Sequence, residues 1–232
     1  MSMARRALLV IDTQVDFNDE QGSLTSFQRS DPKMQRIADL IDAFHADGGF
    51  VVATADTHPP LHHPEHLVTY RRMLQETMGQ ERFEAYMDKA YEAYREELKL
   101  YPPHCEYGTP GWQPTAAIAS AFERLGDDLI WIQKPTYRLV DGYVMKGPSG
   151  MVGRSGRAVL DFLKAQGVEE VLVTGLITPV CVLAAVESAV EAGLRATVDE
   201  NLVDSYDEES HRQGLARIAA AGGVIVPARP EA

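Results

Sequence analysis

Short apolar runs rich in Val, Ile, Leu and Ala recur along this chain, and longer stretches of helical periodicity separate them. The runs are Ala7–Ile11, Phe50–Thr54, Leu129–Gln133, Glu170–Thr174, Arg195–Val198 and Gly223–Val226. The helical stretches are Pro32–Asp47, Arg154–Gln166, Pro179–Ala192 and Asp207–Ala221, each meeting a Gly-containing turn near its end. Parallel strands need a crossover between them, and a helix is the usual one. The pattern predicts an α/β fold: a doubly wound, six-stranded, mostly parallel sheet with helices between the strands. A length of 232 residues and an apolar content of 45% suffice for one large core. No repeat, low-complexity tract or linker divides the chain, so a single domain over 1–232 is expected.

The region from His66 to Leu100 interrupts this rhythm. It is strongly helical and highly charged, with Tyr and Phe spaced among Glu, Lys and Arg. A crossover at this point needs only one helix, so we expect a helical insertion of one or two helices over about 66–100. Its charge reads as a solvated surface; covering a site or a subunit neighbour is the alternative.

The formal net charge of −12 disfavours nucleic acid or an anionic membrane as the main partner. Two cysteines in a chain of this length make no disulfide framework, which suits a reducing, cytoplasmic location. Arg5 and Arg6 precede too short an apolar run, ending at Asp12, for a signal peptide or membrane span.

Ligands of open parallel sheets bind outside the carboxyl ends of the strands, near the reversal of strand order. Those ends carry Asp12, Asp56, Lys134 and the segment leading to Cys181. Each has an ordinary account on its own, as a turn cap, a surface lysine or a small buried residue. Together at one end of the sheet they predict a site. In Gly175-Leu-Ile-Thr178-Pro179-Val-Cys181, Thr178 can cap a helix and Pro179 suits its first position. Cys181 then falls in the first turn, where free N–H groups and the helix dipole favour a thiolate. Those N–H groups also suit a developing oxyanion. In this arrangement Cys181 is the nucleophile and Asp12 takes its proton. Lys134 holds both in their charged forms. Acyl transfer through a thioester is the reaction such a trio runs best.

Asp56-Thr-His58 can place a carboxylate oxygen and an imidazole nitrogen on one divalent metal. His104 arrives on the Pro-rigidified turn Tyr101-Pro-Pro-His104-Cys105. His62 and His63 follow a flexible Pro turn and are weaker candidates. His45 and His211 read as ordinary surface or core residues, and Cys105 as packing.

These pieces resemble the cysteine hydrolases of the isochorismatase-like superfamily, and within it the nicotinamidase (pyrazinamidase) branch. The matching segments are Leu8-Leu-Val-Ile-Asp12-Thr-Gln-Val-Asp-Phe17, Ala55–Pro60, Tyr101–Gly111, Lys134 and Gly175–Val182, with 66–100 unmatched. The resemblance implies Asp12, Lys134 and Cys181 as a catalytic triad. It implies Asp56, His58 and His104 as ligands of a divalent metal, zinc by preference, that binds a substrate ring nitrogen. It further implies a non-proline cis peptide at Leu176–Ile177, an oxyanion hole from the N–H groups of Ile177 and Cys181, and Phe17 and Tyr101 flanking the substrate ring. The expected partner is a small-molecule amide, and a homo-oligomer is expected. Pro179 stands where nicotinamidases usually have Asp or Glu, Tyr101 where Trp is commoner, and Pro135–Tyr143 departs from the usual post-lysine stretch. A related amidohydrolase acting on another small amide, with Arg138 or an insertion residue reading a different group, is therefore the nearest rival. A non-catalytic metal or redox module is disfavoured because a sensor needs neither Asp12 nor Lys134. A vinyl-ether hydrolase has no use for the nucleophile Cys181.

Overall fold

The computed structural model describes residues 5–24 and 31–228, so the extreme ends of the domain expected over 1–232 lie outside the described residues. Its strands are β1 (Arg5–Ile11), β2 (Phe50–Asp56), β3 (Leu129–Lys134), β4 (Tyr143–Lys146), β5 (Val168–Leu176), β6 (Arg195–Asp204) and β7 (Val224–Val226). They form one sheet in the order β4-β3-β2-β1-β5-β6-β7. All pairs are parallel except β3 with β4. The doubly wound architecture is as expected, but the strand count is seven rather than six. The extra strand, β4, is only four residues long and half-buried in an irregular pattern, too short to show a period of two.

The helices are α1 (Val15–Asn18), α2 (Asp31–Ala46), α3 (Leu67–Met78), α4 (Gln80–Glu97), α5 (Ala116–Leu125), α6 (Gly156–Ala165), α7 (Leu183–Glu191) and α8 (Glu208–Ala220). In β1, Ala7, Leu9 and Ile11 face a core shared with α6, α7 and α8, while Leu8 and Val10 face one shared with α2 and α5. Helices on both faces bury both sets of side chains, which is why the strand reads as an unbroken apolar run.

The expected insertion is a pair of helices, α3 and α4, meeting at Gly79 (φ +77°). It is not merely solvated. Phe83, Tyr86, Met87, Ala90, Tyr94 and Glu97 of α4 are buried, a stripe at helical spacing. Tyr70, Leu74, Met78, Phe83, Tyr86, Met87 and Ala90 make a separate apolar cluster within the pair. The charged residues that dominate the sequence occupy the opposite face.

The chain winds outward from β1 through β2 and β3, then crosses back to β5 on the other side of β1. The order therefore reverses between β1 and β5, where Ile11 lies opposite Gly175. Gly175 has φ +109°, and a Cβ added there would fall on the Ile11 carbonyl. Both the backbone angle and the space exclude a side chain. Gly175→Ala should accordingly lower stability by at least ~2 kcal/mol, measured by urea unfolding; a midpoint equal to wild type would contradict this close approach.

Candidate active site

The carboxyl ends of β1, β2, β3 and β5 bring Asp12, Asp56, Lys134 and Cys181 together. Asp12 adopts φ +46°, an angle that Asp tolerates better than most residues. Its carboxylate is held at both oxygens. Thr54 Oγ1 donates to Oδ1 at 2.6 Å, and Lys134 Nζ lies 2.7 Å from Oδ2. Lys134 ends β3 directly opposite Asp56 in the parallel register. Its Nζ donates to the Thr136 carbonyl at 3.2 Å and to Cys181 Sγ at 3.4 Å, and lies 3.6 Å from Asp56 Oδ1. All four side chains are buried.

Burial sets the protonation states, and charge pairing corrects them. Burial pushes the Asp12 carboxyl up; Lys134 opposes this and Asp56 adds to it. Burial also opposes ionisation of Asp56, but His58 and Lys134 outweigh it and hold that carboxyl below the usual range. Lys134 is pushed up, because Asp12, Cys181 and Asp56 outweigh its own desolvation. The Cys181 thiol is pushed well up by burial, and by Asp12 and Asp56, against the pull of Lys134. Burial and the two carboxylates thus oppose the thiolate that the helix start favours, while Lys134 supports it.

The helix start itself also differs. Thr178–Val182 form one π-helical turn before α7, and Ile177, not Thr178, occupies the capping position. Thr178 Oγ1 instead donates to the Asp204 carbonyl at 2.8 Å and lies 2.9 Å from His211 Nδ1. The hydroxyl is engaged by β6 and α8, which fastens the turn from behind. The Leu176–Ile177 peptide is cis, as the resemblance implied.

Asp56, His58 and His104 come together as expected, and a residue that sequence reasoning missed, Glu97, joins them from α4. One ligand-type atom from each of the four lies within 4.8 Å of the others. Asp56 Oδ2 is 3.1 Å from His58 Nε2, and the two Nε2 atoms are 3.2 Å apart. Glu97 Oε2 is 3.4 Å from His58 Nε2 and 3.6 Å from His104 Nε2. Donors about 2.0–2.2 Å from a zinc-sized ion are separated by roughly 3–3.5 Å, so the spacing fits. His104 Nδ1 lies 2.8 Å from the Pro102 carbonyl. A carbonyl only accepts, so the proton sits on Nδ1 and Nε2 is the nitrogen that faces the cluster. Glu97 Oε2 is buried without a hydrogen-bond partner, as a ligand atom awaiting a cation would be. Gln14 braces the loop: its side chain accepts from Asp56 N–H at 2.8 Å and donates to the Asp56 carbonyl at 2.9 Å.

The signal for Glu97 was its position at the end of the buried stripe of α4. A carboxylate in register with Phe83, Met87, Ala90 and Tyr94 is unusual on a solvated helix.

Phe17 and Tyr101 both lie against His104, with ring centroids 5.9 and 6.1 Å from it. Tyr206, from the segment after β6, stacks on Tyr101 at 5.9 Å and extends this wall. Other candidates lie outside the cluster. His62 pairs with Glu106 at 2.6 Å, and His63 lies near Glu65 on the surface. Cys105 is buried in the core, its N–H bonded to Asp16 and its carbonyl to His58 N–H. Arg138 is an exposed partner of Glu191.

The fold has counterparts among known hydrolases. Residues 6–229 match the isochorismatase domain, and the chain belongs to the isochorismatase family. A nicotinamidase/pyrazinamidase of Mycobacterium tuberculosis is 29% identical over 229 residues, covering 95% of this chain and 98% of its own length. The crystal structure of a nicotinamidase/pyrazinamidase from Bacillus subtilis is similar with TM-score 0.68 and 21% identity, covering 96% of this chain and 99% of that one. A Pyrococcus horikoshii pyrazinamidase in complex with zinc is similar with TM-score 0.64 and 22% identity, covering 97% and 99%.

The buried Lys134 balances two buried carboxylates, so its removal leaves them unpaired. Lys134→Ala should cost about 3–5 kcal/mol at pH 7, read by chemical unfolding. Without Lys134 the folded-state pKa of Asp12 rises further above its unfolded value. Folding then favours the protonated form, so the deficit should shrink as pH falls toward 4. A deficit independent of pH would contradict the unpaired-carboxylate account.

Proposed function

We propose that the protein is a metal-containing cysteine amidohydrolase, a nicotinamidase that converts nicotinamide to nicotinate and ammonia. The observation that carries this reading is the continuous contact from Asp12 to Lys134 at 2.7 Å and from Lys134 to Cys181 at 3.4 Å, beside the Asp56–His58–Glu97–His104 cluster. The names of the similar proteins favour a carboxamide as substrate.

Cys181 Sγ attacks the amide carbonyl carbon while its proton passes to Asp12, whose raised pKa suits a general base. A C–S bond forms, and negative charge collects on the carbonyl oxygen, for which the N–H groups of Ile177 and Cys181 would serve as donors. Asp12 then delivers its proton to the amide nitrogen, the C–N bond breaks and ammonia leaves a thioester. Water attacks the thioester with Asp12 again taking a proton. The C–S bond breaks, the acid departs and the thiol is restored. Lys134 stays protonated throughout and holds Asp12 and the transient thiolate in place. Asp56, His58, His104 and Glu97 would hold a divalent ion, zinc by donor type, which when bound supplies a Lewis-acid contact for the ring nitrogen. Phe17 and Tyr101 flank the ring.

One observation favours a second reading, hydrolysis of a larger small-molecule amide. A cavity of about 330 Å³, lined by Ala93, Glu97, Leu100, Thr136 and Tyr137, adjoins the site on the insertion side.

Ammonia release should be measured with nicotinamide, pyrazinamide, maleamate and carbamoyl compounds. The two heteroaromatic amides should be the best substrates; turnover only of the others would overturn the nicotinamidase reading. Cys181→Ala should abolish release, and Asp12→Asn should lower it by about 10²–10⁴-fold. A Cys181→Ala enzyme with a tenth of wild-type turnover would exclude covalent catalysis at this residue. About one equivalent of divalent metal should co-purify and be largely absent from His104→Ala.

A further inference from the structure

We propose that Tyr94 is a positioning residue for the metal site, acting through His58 and Glu106; this rests on the metal reading above. Tyr94 belongs to α4, within the helical insertion, one turn before Glu97. It is fully buried, yet it is not a member of the apolar cluster that holds α3 and α4 together. Its ring instead lies on the imidazole of His58, with centroids 4.1 Å apart and planes within 8°. The ring also meets His104 edge-on at 6.2 Å. Both imidazoles of the cluster thus touch one aromatic side chain.

The hydroxyl does a second job. It donates to Glu106 Oε1 at 2.9 Å. Glu106 is itself buried and accepts the backbone N–H of His62 at 3.0 Å through Oε2. Glu106 and His58 face each other in a short parallel bridge: His58 N–H bonds the Cys105 carbonyl, and Tyr107 N–H bonds the His58 carbonyl, each at 3.0 Å. The backbone of His58 is therefore fixed by the segment carrying Glu106, and Tyr94 is tethered to that same segment. His58 Nδ1 has no hydrogen-bond partner. The usual device for orienting a ligand imidazole, a bond to its second nitrogen, is missing here. Two rings pack on the imidazole, His104 edge-on at 4.7 Å and Tyr94 face-on at 4.1 Å, and Tyr94 is the one that lies flat against its plane.

The test is metal affinity, read on protein stripped with a chelator and titrated with Zn²⁺ against a chromophoric competitor. Wild type, Tyr94→Leu, Tyr94→Phe and Phe83→Leu are compared, and Co²⁺ absorption spectra are recorded for each. Tyr94→Leu removes ring and hydroxyl and should weaken Zn²⁺ binding about a hundredfold, with an altered Co²⁺ spectrum. Tyr94→Phe keeps the stacked ring and should lose about tenfold. Phe83→Leu removes an aromatic from the helix pair's own cluster; it should lower thermal stability and leave affinity and spectrum unchanged. Wild-type affinity and spectrum in Tyr94→Leu would overturn the proposal, as would an equal loss in Phe83→Leu. Where Tyr94→Leu does not fold, Tyr94→Phe decides, and wild-type affinity there overturns the proposal. A wild type that binds no ion overturns both this inference and the metal reading; a wild type that binds beside unaffected Tyr94 variants overturns this inference alone.

Discussion

One buried ammonium sustains the site. Lys134 is 1% exposed, and its Nζ lies within 3.6 Å of both Asp12 and Asp56 as well as Cys181. Two carboxylates so close, and out of water, could not both ionise without it. The parallel register of β2 and β3 sets Lys134 beside Asp56, and the neighbouring β1 ends at Asp12, so the sheet itself fixes the charge balance. Asp56 is thereby free to serve the imidazole side while Asp12 serves the sulfur. The ammonium divides one acidic cluster into a half that faces the imidazoles and a half that faces the thiol.

Much of this was legible in the sequence because parallel sheets put their chemistry at strand ends. Asp12, Asp56, Lys134 and Cys181 each follow a recognisable apolar run, and position in a strand survives without knowledge of packing. What was not legible depends on tertiary contact. Glu97 lies in a segment whose charge suggests a solvated helix, and its role follows from which face of α4 docks. Thr178 looks like a helix cap, but Asp204 and His211 compete for its hydroxyl and win. The thiolate favoured by the helix start is opposed by burial and by two nearby carboxylates, which only the folded structure brings to Cys181. Strand β4 was missed because four residues are too few to show a period of two, whereas helix α5 carries a clear apolar stripe, Ile118, Ala121, Phe122 and Leu125, that sequence reasoning overlooked.

The insertion and the sheet contribute different things. The strand ends carry Asp12, Asp56, Lys134 and the turn to Cys181, whereas α4 and the segments at Tyr101 and Tyr206 enclose the imidazole side. Thr54 on Asp12 and Gln14 around Asp56 show the sheet side braced by hydrogen bonds from adjacent strands and their turns. The enclosing side is braced mainly by aromatic faces: Phe17 and Tyr101 against His104, and Tyr206 against Tyr101.

This separation has an evolutionary consequence. Bond-making groups rooted in strand ends are inherited with the fold and tolerate little movement. The walls belong to segments that can lengthen, shorten or be exchanged without disturbing strand register. A lineage with this architecture can change what it admits while keeping how it cleaves. The helical pair at 67–97 differs from a mere wall in that it supplies Glu97 to the cluster it encloses, so removing the pair would also change the cluster.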